Sequence, residues 1–134
     1  MCLIATNKKP KKSKENVVCY KILDKIGDTY KTPWQRCLIT NEMLNGEESF
    51  KPDADEIPNL GTRKAGGYIH SVNGYEEAQR LLNTLKRMFS DLIKNPVIFE
   101  CIIPKDAEYF EGFDNNYYSG FASNELKFVK EIVE

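Results

Sequence analysis

Residues 73–103 read NGYEEAQRLLNTLKRMFSDLIKNPVIFECII, an amphipathic stretch that runs directly into an apolar one. Apolar side chains recur in the first part at steps of three and four residues, which places them on one face of an α-helix. They are Ala78, Leu81, Leu82, Leu85, Met88, Phe89, Leu92 and Ile93. The spacing predicts a helix over residues 75–94, roughly 30 Å long, that packs on a core through this face.

The ends of this helix carry capping and stop signals. Asn73 and Glu76 have the spacing of a capping box, in which the two side chains satisfy backbone N–H groups of the first turn. Pro96 ends the helix because it restricts Asn95 and has no amide donor. Residues 97–103 then predict a strand, and because it is apolar on nearly every residue we place it in the centre of a sheet.

Apolar runs on both sides of the helix predict the remaining strands. They lie at 1–6, 16–26, 36–40 and 66–72 before the helix and at 125–133 after the central strand. Strands, one principal helix and further strands make an α+β fold with a mostly antiparallel sheet. The length of 134 residues predicts a single domain over 1–134.

Composition excludes several classes of protein. No apolar run approaches the roughly 20 residues that span a bilayer, and the apolar start is too short for a signal peptide. We therefore expect a cytoplasmic protein with no membrane partner. Segment 44–67 is acidic and contains glycines, but its acids lack the spacing of a calcium loop, so we predict a surface loop.

The cysteines and lysines have no metal-site or base-stacking pattern. The chain has four cysteines without a Cys-x-x-Cys pair and one histidine, so we expect structural thiols, no metal and no cofactor. Removing the five lysine charges of loop 7–15 from the net charge of −1 leaves −6 on the rest of the chain. A solvated basic loop is the simpler interpretation, and nucleic-acid binding is the alternative. The lysines are Lys8, Lys9, Lys11, Lys12 and Lys14.

A few polar and aromatic residues are candidates for chemistry or binding. His70 is the only side chain whose ordinary pKa lies near neutrality, and it follows two glycines that would let a ligand approach the backbone. Ser123 and Glu125 are the other catalytic candidates. The candidate contact residues combine aromatic rings with small polar neighbours, although packing over the sheet explains the rings equally well. They are Tyr68, His70, Tyr117, Tyr118 and Phe121.

Several short motifs occur together in this chain. They are MCLI at 1–4, VCYK at 18–21, GYIHS at 67–71 with Ala78, and CIIPK at 101–105 with Tyr109, Gly112 and Ala122-Ser123. In this combination the chain resembles a family of small uncharacterised single-domain proteins of gut-type bacteria and their phages. The resemblance implies a compact domain and supplies no activity.

A second resemblance concerns three polar positions. His70, Tyr118 or Ser123, and Glu125 are similar in order to the residues that surround NAD in the ADP-ribosyltransferase-like fold. That resemblance implies an NAD-using enzyme in which these side chains converge on one pocket.

The sequence lacks a phosphate-binding glycine loop, a serine nucleophile elbow and paired metal-ligating histidines. We therefore expect a non-catalytic binding or accessory module whose partner is a protein or a small molecule. An ADP-ribosyltransferase-like enzyme and a subunit of a phage or bacterial assembly are the alternatives.

Overall fold

A computed structural model describes residues 4–5, 11–33, 38–51, 69–113 and 119–132. Ten strands and two helices lie in these ranges. In chain order they are β1 (Ile4–Ala5), β2 (Lys11–Lys12), β3 (Val17–Ile26), β4 (Thr29–Lys31), β5 (Leu38–Ile39), α1 (Asn41–Leu44), β6 (Ile69–Val72), α2 (Tyr75–Met88), β7 (Pro96–Ile103), β8 (Glu108–Phe113), β9 (Ser119–Ser123) and β10 (Lys127–Ile132).

The principal helix, α2, has the predicted buried face but is shorter than predicted. Ala78, Leu81 and Leu85 are buried, which confirms that part of the face, whereas Met88 and Leu92 of the predicted face are mostly exposed. The helix ends at Met88 rather than at residue 94, because Phe89 leaves helical geometry at φ −128° and ψ 28°. Serine and aspartate follow at positions 90 and 91, and both residue types compete with helix by bonding nearby backbone.

The predicted capping box at the start of α2 is wrong. Gly74 is the N-cap, and no side chain caps the helix. Asn73 is held instead by β9, because its backbone N–H donates to the Ser119 carbonyl at 3.0 Å. Its side-chain amide lies 3.4 Å from Ser119 Oγ. A residue tied to a neighbouring strand in this way cannot turn back onto the helix.

The apolar strand after the helix lies inside the sheet, as predicted. β7 pairs antiparallel with β3 over residues 17–24 of β3 and with β10 on its other edge. Every strand pairing in the described ranges is antiparallel. The fold is therefore α+β with a mostly antiparallel sheet, in which strand outweighs helix.

The second edge of β3 is divided between two strands. Tyr20 pairs with Val72 of β6, which leads on through β9 to β8 and from there to β1 and β2. Residues 24–26 pair with β4, which leads to β5. Gly27, at φ +62°, provides the left-handed residue of the tight turn between β3 and β4.

The sheet is covered on both faces by separate apolar clusters. One face, here called the helix face, is covered by α2. Its buried residues are Ile22, Val72, Ala78, Leu81, Leu85, Ile93 and Ile98. The other, here called the aromatic face, includes most of the buried rings. Its buried residues are Cys19, Leu23, Ile39, Phe50, Ile69, Phe99, Cys101, Ile103, Ala107, Phe121, Leu126 and Phe128.

Two predicted loops contain regular structure. Loop 7–15 includes β2, which pairs with β8, and Lys11 forms an ion pair with Glu111 at 3.2 Å. Segment 44–67 begins at the end of α1, and Phe50 forms a β-bridge with Leu126. Residues 52–67 lie outside the described residues. The strand predicted at 36–40 is the two-residue β5 within the described part.

Candidate functional site

The three residues of the predicted catalytic set do not meet as a group. His70 lies opposite Ala122 and Ser123 lies opposite Ile69 in the β6–β9 ladder. Because alternate residues of a strand point to opposite faces, the His70 and Ser123 side chains lie on the helix face and the aromatic face respectively. Glu125 accepts a hydrogen bond from Ser49 Oγ at 2.7 Å. Tyr118, the alternative to Ser123, lies outside the described residues.

Phe121 is the one predicted aromatic contact residue that the structure describes. It is buried on the aromatic face, and its ring centroid lies 5.8 Å from that of Tyr109 in an edge-to-face contact. For Phe121 the structure therefore favours packing over the sheet, the second of the two interpretations given for these rings. Tyr68, Tyr117 and Tyr118 lie outside the described residues.

The sheet opens beside His70. The Lys25 N–H donates to the Asn95 carbonyl at 2.9 Å, so odd-numbered residues of β3 direct their backbone groups toward β7. Even-numbered residues of β3 therefore direct their backbone groups toward the other edge, where β6 and β4 pair. Ile22 lies between Tyr20, which pairs with β6, and Asp24, which pairs with β4. No described strand pairs with Ile22 on this edge of β3. We call this gap between β3 and β6, beside Ile22 and His70, the ladder opening.

Lys21 reaches into the ladder opening. Its Nζ donates to the His70 carbonyl at 2.7 Å, and its side chain is half-buried. In a continuous ladder this carbonyl would accept from a β3 backbone N–H, since His70 lies two residues before Val72 and directs its backbone the same way. The ammonium therefore bonds a carbonyl that faces β3 and brings a positive charge between two strands.

Two buried hydroxyls lie on the aromatic face near this point. Ser71 Oγ and Ser123 Oγ are buried, and neither makes a hydrogen bond of good geometry within the described residues. A side-chain hydrogen bond with Ser71 opposes the rise in the pKa of the Cys19 thiol that burial causes. A buried hydroxyl without a partner costs about 1 to 3 kcal/mol, and Ser123 carries this cost more fully than Ser71, which has the Cys19 thiol beside it.

Cys19 and Cys101 form a buried pair of thiols on the same face. They are directly opposite each other in the β3–β7 ladder, and both are free and fully buried. Burial raises the pKa of Cys19 to about 11. Burial, and then the neighbouring Cys19, raises the pKa of Cys101 well above its usual value. Both thiols therefore keep their protons at neutral pH and are poor nucleophiles.

The register also disfavours a disulfide between these two cysteines. Both belong to the odd-numbered, hydrogen-bonded pairs of the β3–β7 ladder, in which the Cβ atoms are roughly 5.5 Å apart. A disulfide requires roughly 3.8 Å. The expectation of structural thiols is confirmed for this pair, while Cys2 and Cys37 lie outside the described residues.

A second polar cluster joins β4 to β10 at the far end of the aromatic face. Tyr30 donates to Glu131 Oε1 at 2.6 Å, and Lys25 Nζ lies 3.9 Å from the same oxygen. Burial and then the bond to Glu131 raise the pKa of Tyr30. The Tyr30 hydroxyl and then the Glu131 charge raise the pKa of Lys25. The tyrosine stays neutral and the lysine stays charged, so the cluster acts as a clasp.

The sequence prediction found His70 but missed Lys21 and the Lys25–Tyr30–Glu131 clasp. Lys21 alternates with Val17, Cys19 and Leu23 on one side of β3, and a lone lysine in such an apolar row is a detectable signal. The clasp has no comparable signal, because Tyr30 and Glu131 are separated by 101 positions and no local pattern links them.

No protein-family model, curated protein or solved structure matches the chain. Within the described ranges, no three or more histidine, cysteine or acidic residues are grouped so that they could hold a metal ion. No helix in those ranges has the length and apolar character needed to cross a membrane.

Proposed function

We propose that this chain is a non-catalytic binding module that takes a small ligand at the ladder opening. The observation that carries the proposal is the contact between Lys21 Nζ and the His70 carbonyl in the gap between β3 and β6. Sheets rarely leave backbone groups unpaired, because each buried unpaired group costs free energy. A gap edged by backbone donors and a lysine therefore has polar groups that a ligand can use.

The donors at the ladder opening favour a ligand with an anionic oxygen. Lys21 contributes a charged ammonium, and the backbone N–H of Ile22 faces the gap by the parity of β3. A carboxylate or a phosphate accepts hydrogen bonds from both kinds of donor, and such charge-assisted bonds are the stronger ones. The half-buried position of Lys21 protects that interaction from full screening by solvent.

Two further observations favour binding over catalysis. The thiols of Cys19 and Cys101 have raised pKa values and keep their protons, so neither is an activated nucleophile. His70 and Ser123 point to opposite faces of the sheet, so the histidine cannot act as a base toward that hydroxyl.

A thermal-shift screen against small carboxylates and phosphates tests this function. Ligand binding to the folded state raises Tm by mass action, so at least one member should raise the Tm of the wild type at millimolar concentration. Lys21→Met should abolish the shift, and Lys21→Arg should retain part of it because the charge is kept. Lys31→Met, which removes a half-buried lysine from neighbouring β4, is the matched control and should retain it.

Each variant is compared with its own Tm without ligand, so a change in stability is separated from a change in binding. A screen in which no anion raises Tm, or a shift that Lys21→Met preserves in full, would remove the ladder opening as the binding site.

A further inference from the structure

Two serine hydroxyls are buried beside the ladder opening. Ser71 is 7% exposed and Ser123 is 0% exposed, and in the part of the chain that the structure describes neither Oγ has a hydrogen-bond partner of good geometry. Ser71 has the Cys19 thiol beside it, whereas Ser123 lies directly opposite Ile69 on one side and Tyr109 on the other. An alanine would fit this apolar position without the cost of an unpaired hydroxyl.

Strand register places the two hydroxyls close together on the aromatic face. Ser71 lies opposite Phe121 and Ser123 lies opposite Ile69, so the two serines are diagonal neighbours in the β6–β9 ladder. The Cβ atoms of diagonal neighbours are roughly 7 Å apart. Each Oγ can turn toward the other, and two O–H···O bonds of about 2.8 Å span about 5.6 Å. One oxygen atom between the two hydroxyls can therefore bond to both.

The Lys21 ammonium lies next to these hydroxyls on the solvent side. Its Nζ donates to the His70 carbonyl at 2.7 Å, and that carbonyl carbon is bonded to the backbone nitrogen of Ser71. Burial raises the pKa of the Cys19 thiol, and Ser71 and Lys21 both oppose that rise, so these three side chains are near one another. Exposure falls along this line, from the half-buried Lys21 through Ser71 to Ser123.

We propose that the ligand of the ladder opening is a short 2-hydroxy acid, whose carboxylate binds Lys21 and whose hydroxyl binds Ser71 and Ser123. This specificity rests on the proposed function, and it selects one class among the carboxylates and phosphates. A 2-hydroxy acid carries its hydroxyl on the carbon next to the carboxylate, which matches an ammonium beside two inner hydroxyls. A hydroxyl both donates and accepts, so a single one can bond to both serines. The full burial of Ser123 limits the ligand to a few carbon atoms.

The charge of the site favours a carboxylate over a phosphate. Lys21 supplies one positive charge, and a carboxylate brings one negative charge to it. A phosphate monoester carries about −1.5 to −2 at neutral pH, so part of its charge would be left without a counter-charge from Lys21. That excess would lie against the buried side chains of Ile69 and Phe121, and burying unpaired charge among apolar groups costs free energy.

Titrations of the whole chain with matched pairs of acids test the role of the hydroxyl. Glycolate differs from acetate, and lactate from propionate, by one hydroxyl on the carbon next to the carboxylate. The apparent Kd follows from the rise of Tm with ligand concentration. It should be roughly tenfold lower for the hydroxylated member of each pair, because that member bonds to serine hydroxyls that are otherwise buried without such a partner.

Ser123→Ala removes one of the two hydroxyls and keeps the shape of the core. It should remove most of the preference for glycolate while the Kd of acetate stays unchanged. Without ligand its Tm should equal or exceed that of the wild type, because a buried unpaired hydroxyl is lost. Ser13→Ala is the matched control, since Ser13 is also buried but its Oγ donates to the Glu15 carbonyl. This control should lower Tm and keep the preference.

The possible results distinguish this specificity from the proposed function itself. Equal Kd values within each pair would overturn the hydroxy-acid specificity and leave the ladder opening as an anion site. A wild type whose Tm is raised by none of the four acids nor by any phosphate would overturn both. A preference that Ser123→Ala preserves in full, or a Ser123→Ala protein destabilised as much as Ser13→Ala, would show that the Ser123 hydroxyl is paired within the chain and would overturn its role.

Discussion

The helix face and the aromatic face of the sheet are buried in different ways. On the helix face, aliphatic residues of α2 such as Leu81 and Leu85 lie on Ile22 and Ile98 of the sheet. On the aromatic face, rings from separate strands contact one another. The ring centroid of Phe99 lies 5.2 Å from that of Tyr30 and 5.6 Å from that of Phe128, and both contacts are edge-to-face. The ring centroids of Phe128 and Phe50 are 6.2 Å apart.

This difference shows why one face was accessible to sequence reasoning. The helix and the central strand that it packs on lie within residues 75–103, so periodicity reveals their contact. These four rings of the aromatic face come from positions 30, 50, 99 and 128, and only the folded sheet brings them together. Its stability therefore depends on contacts of long sequence separation.

The largest expected effect is on the aromatic face. Phe99→Ala should lower the free energy of unfolding by about 4 kcal/mol, because it removes two edge-on ring contacts and leaves a cavity. Urea denaturation followed by circular dichroism measures the change. A loss near 1 kcal/mol would mean that the rings are not packed as described.

A smaller loss is expected on the helix face. Leu85→Ala should cost about 3 kcal/mol, because Leu85 is fully buried under α2. Leu92→Ala is the matched control, since Leu92 is mostly exposed and its replacement should change the same free energy by less than about 0.5 kcal/mol. Equal losses for the two leucines would contradict the observed end of α2 at Met88.

The buried thiols predict a stability change at high pH. The unfolded Cys19 thiol ionises near its ordinary pKa of 9.0, while burial keeps the folded thiol protonated up to a pKa of about 11. Its contribution is therefore complete below pH 9 and lost as pH rises toward 11. Two pKa units correspond to about 2 to 3 kcal/mol.

Comparison with a variant isolates this effect from other groups that titrate at high pH. The free energy of unfolding of Cys19→Ala should fall less steeply between pH 9 and 11 than that of the wild type. Parallel curves for the two proteins would show that Cys19 is accessible to solvent.

The smallest expected effect concerns the clasp at the end of the aromatic face. Tyr30→Phe keeps the ring against Phe99 and removes the hydroxyl that bonds Glu131 and contacts Lys25, so it should cost about 1 kcal/mol. Tm by differential scanning calorimetry measures the loss. Glu131→Gln keeps an acceptor and is the milder companion variant, and a Tyr30→Phe protein as stable as wild type would show that the clasp contributes nothing.

Sequence reasoning predicted the regular parts of the fold and missed the places where tertiary contacts intervene. Periodicity found the buried face of α2 and the central position of β7. It predicted that the helix continues to residue 94, because Leu92 and Ile93 continue the apolar spacing. In the structure the helix ends at Met88, and of these two residues only Ile93 is buried. It assigned a cap to Asn73, which β9 holds through Ser119.

The candidate site was predicted only in part, for a similar reason. His70 was identified from its chemistry, but the neighbour that matters to it is Lys21, which lies 49 positions away. Phe121 looked like a contact residue because its neighbours are small and polar, yet its alternation in β9 points it into the aromatic face. Strand register decided both cases, and register depends on the whole sheet.

Amide hydrogen exchange followed by NMR tests the ladder opening most directly. The N–H groups of Tyr20 and Asp24 face the pairings with β6 and β4, so both should be protected. The Ile22 N–H lies between them and faces the gap, so it should exchange much faster than either. Equal protection of all three amides would show that β3 is continuously paired along this edge and would contradict the opening on which the proposed binding depends.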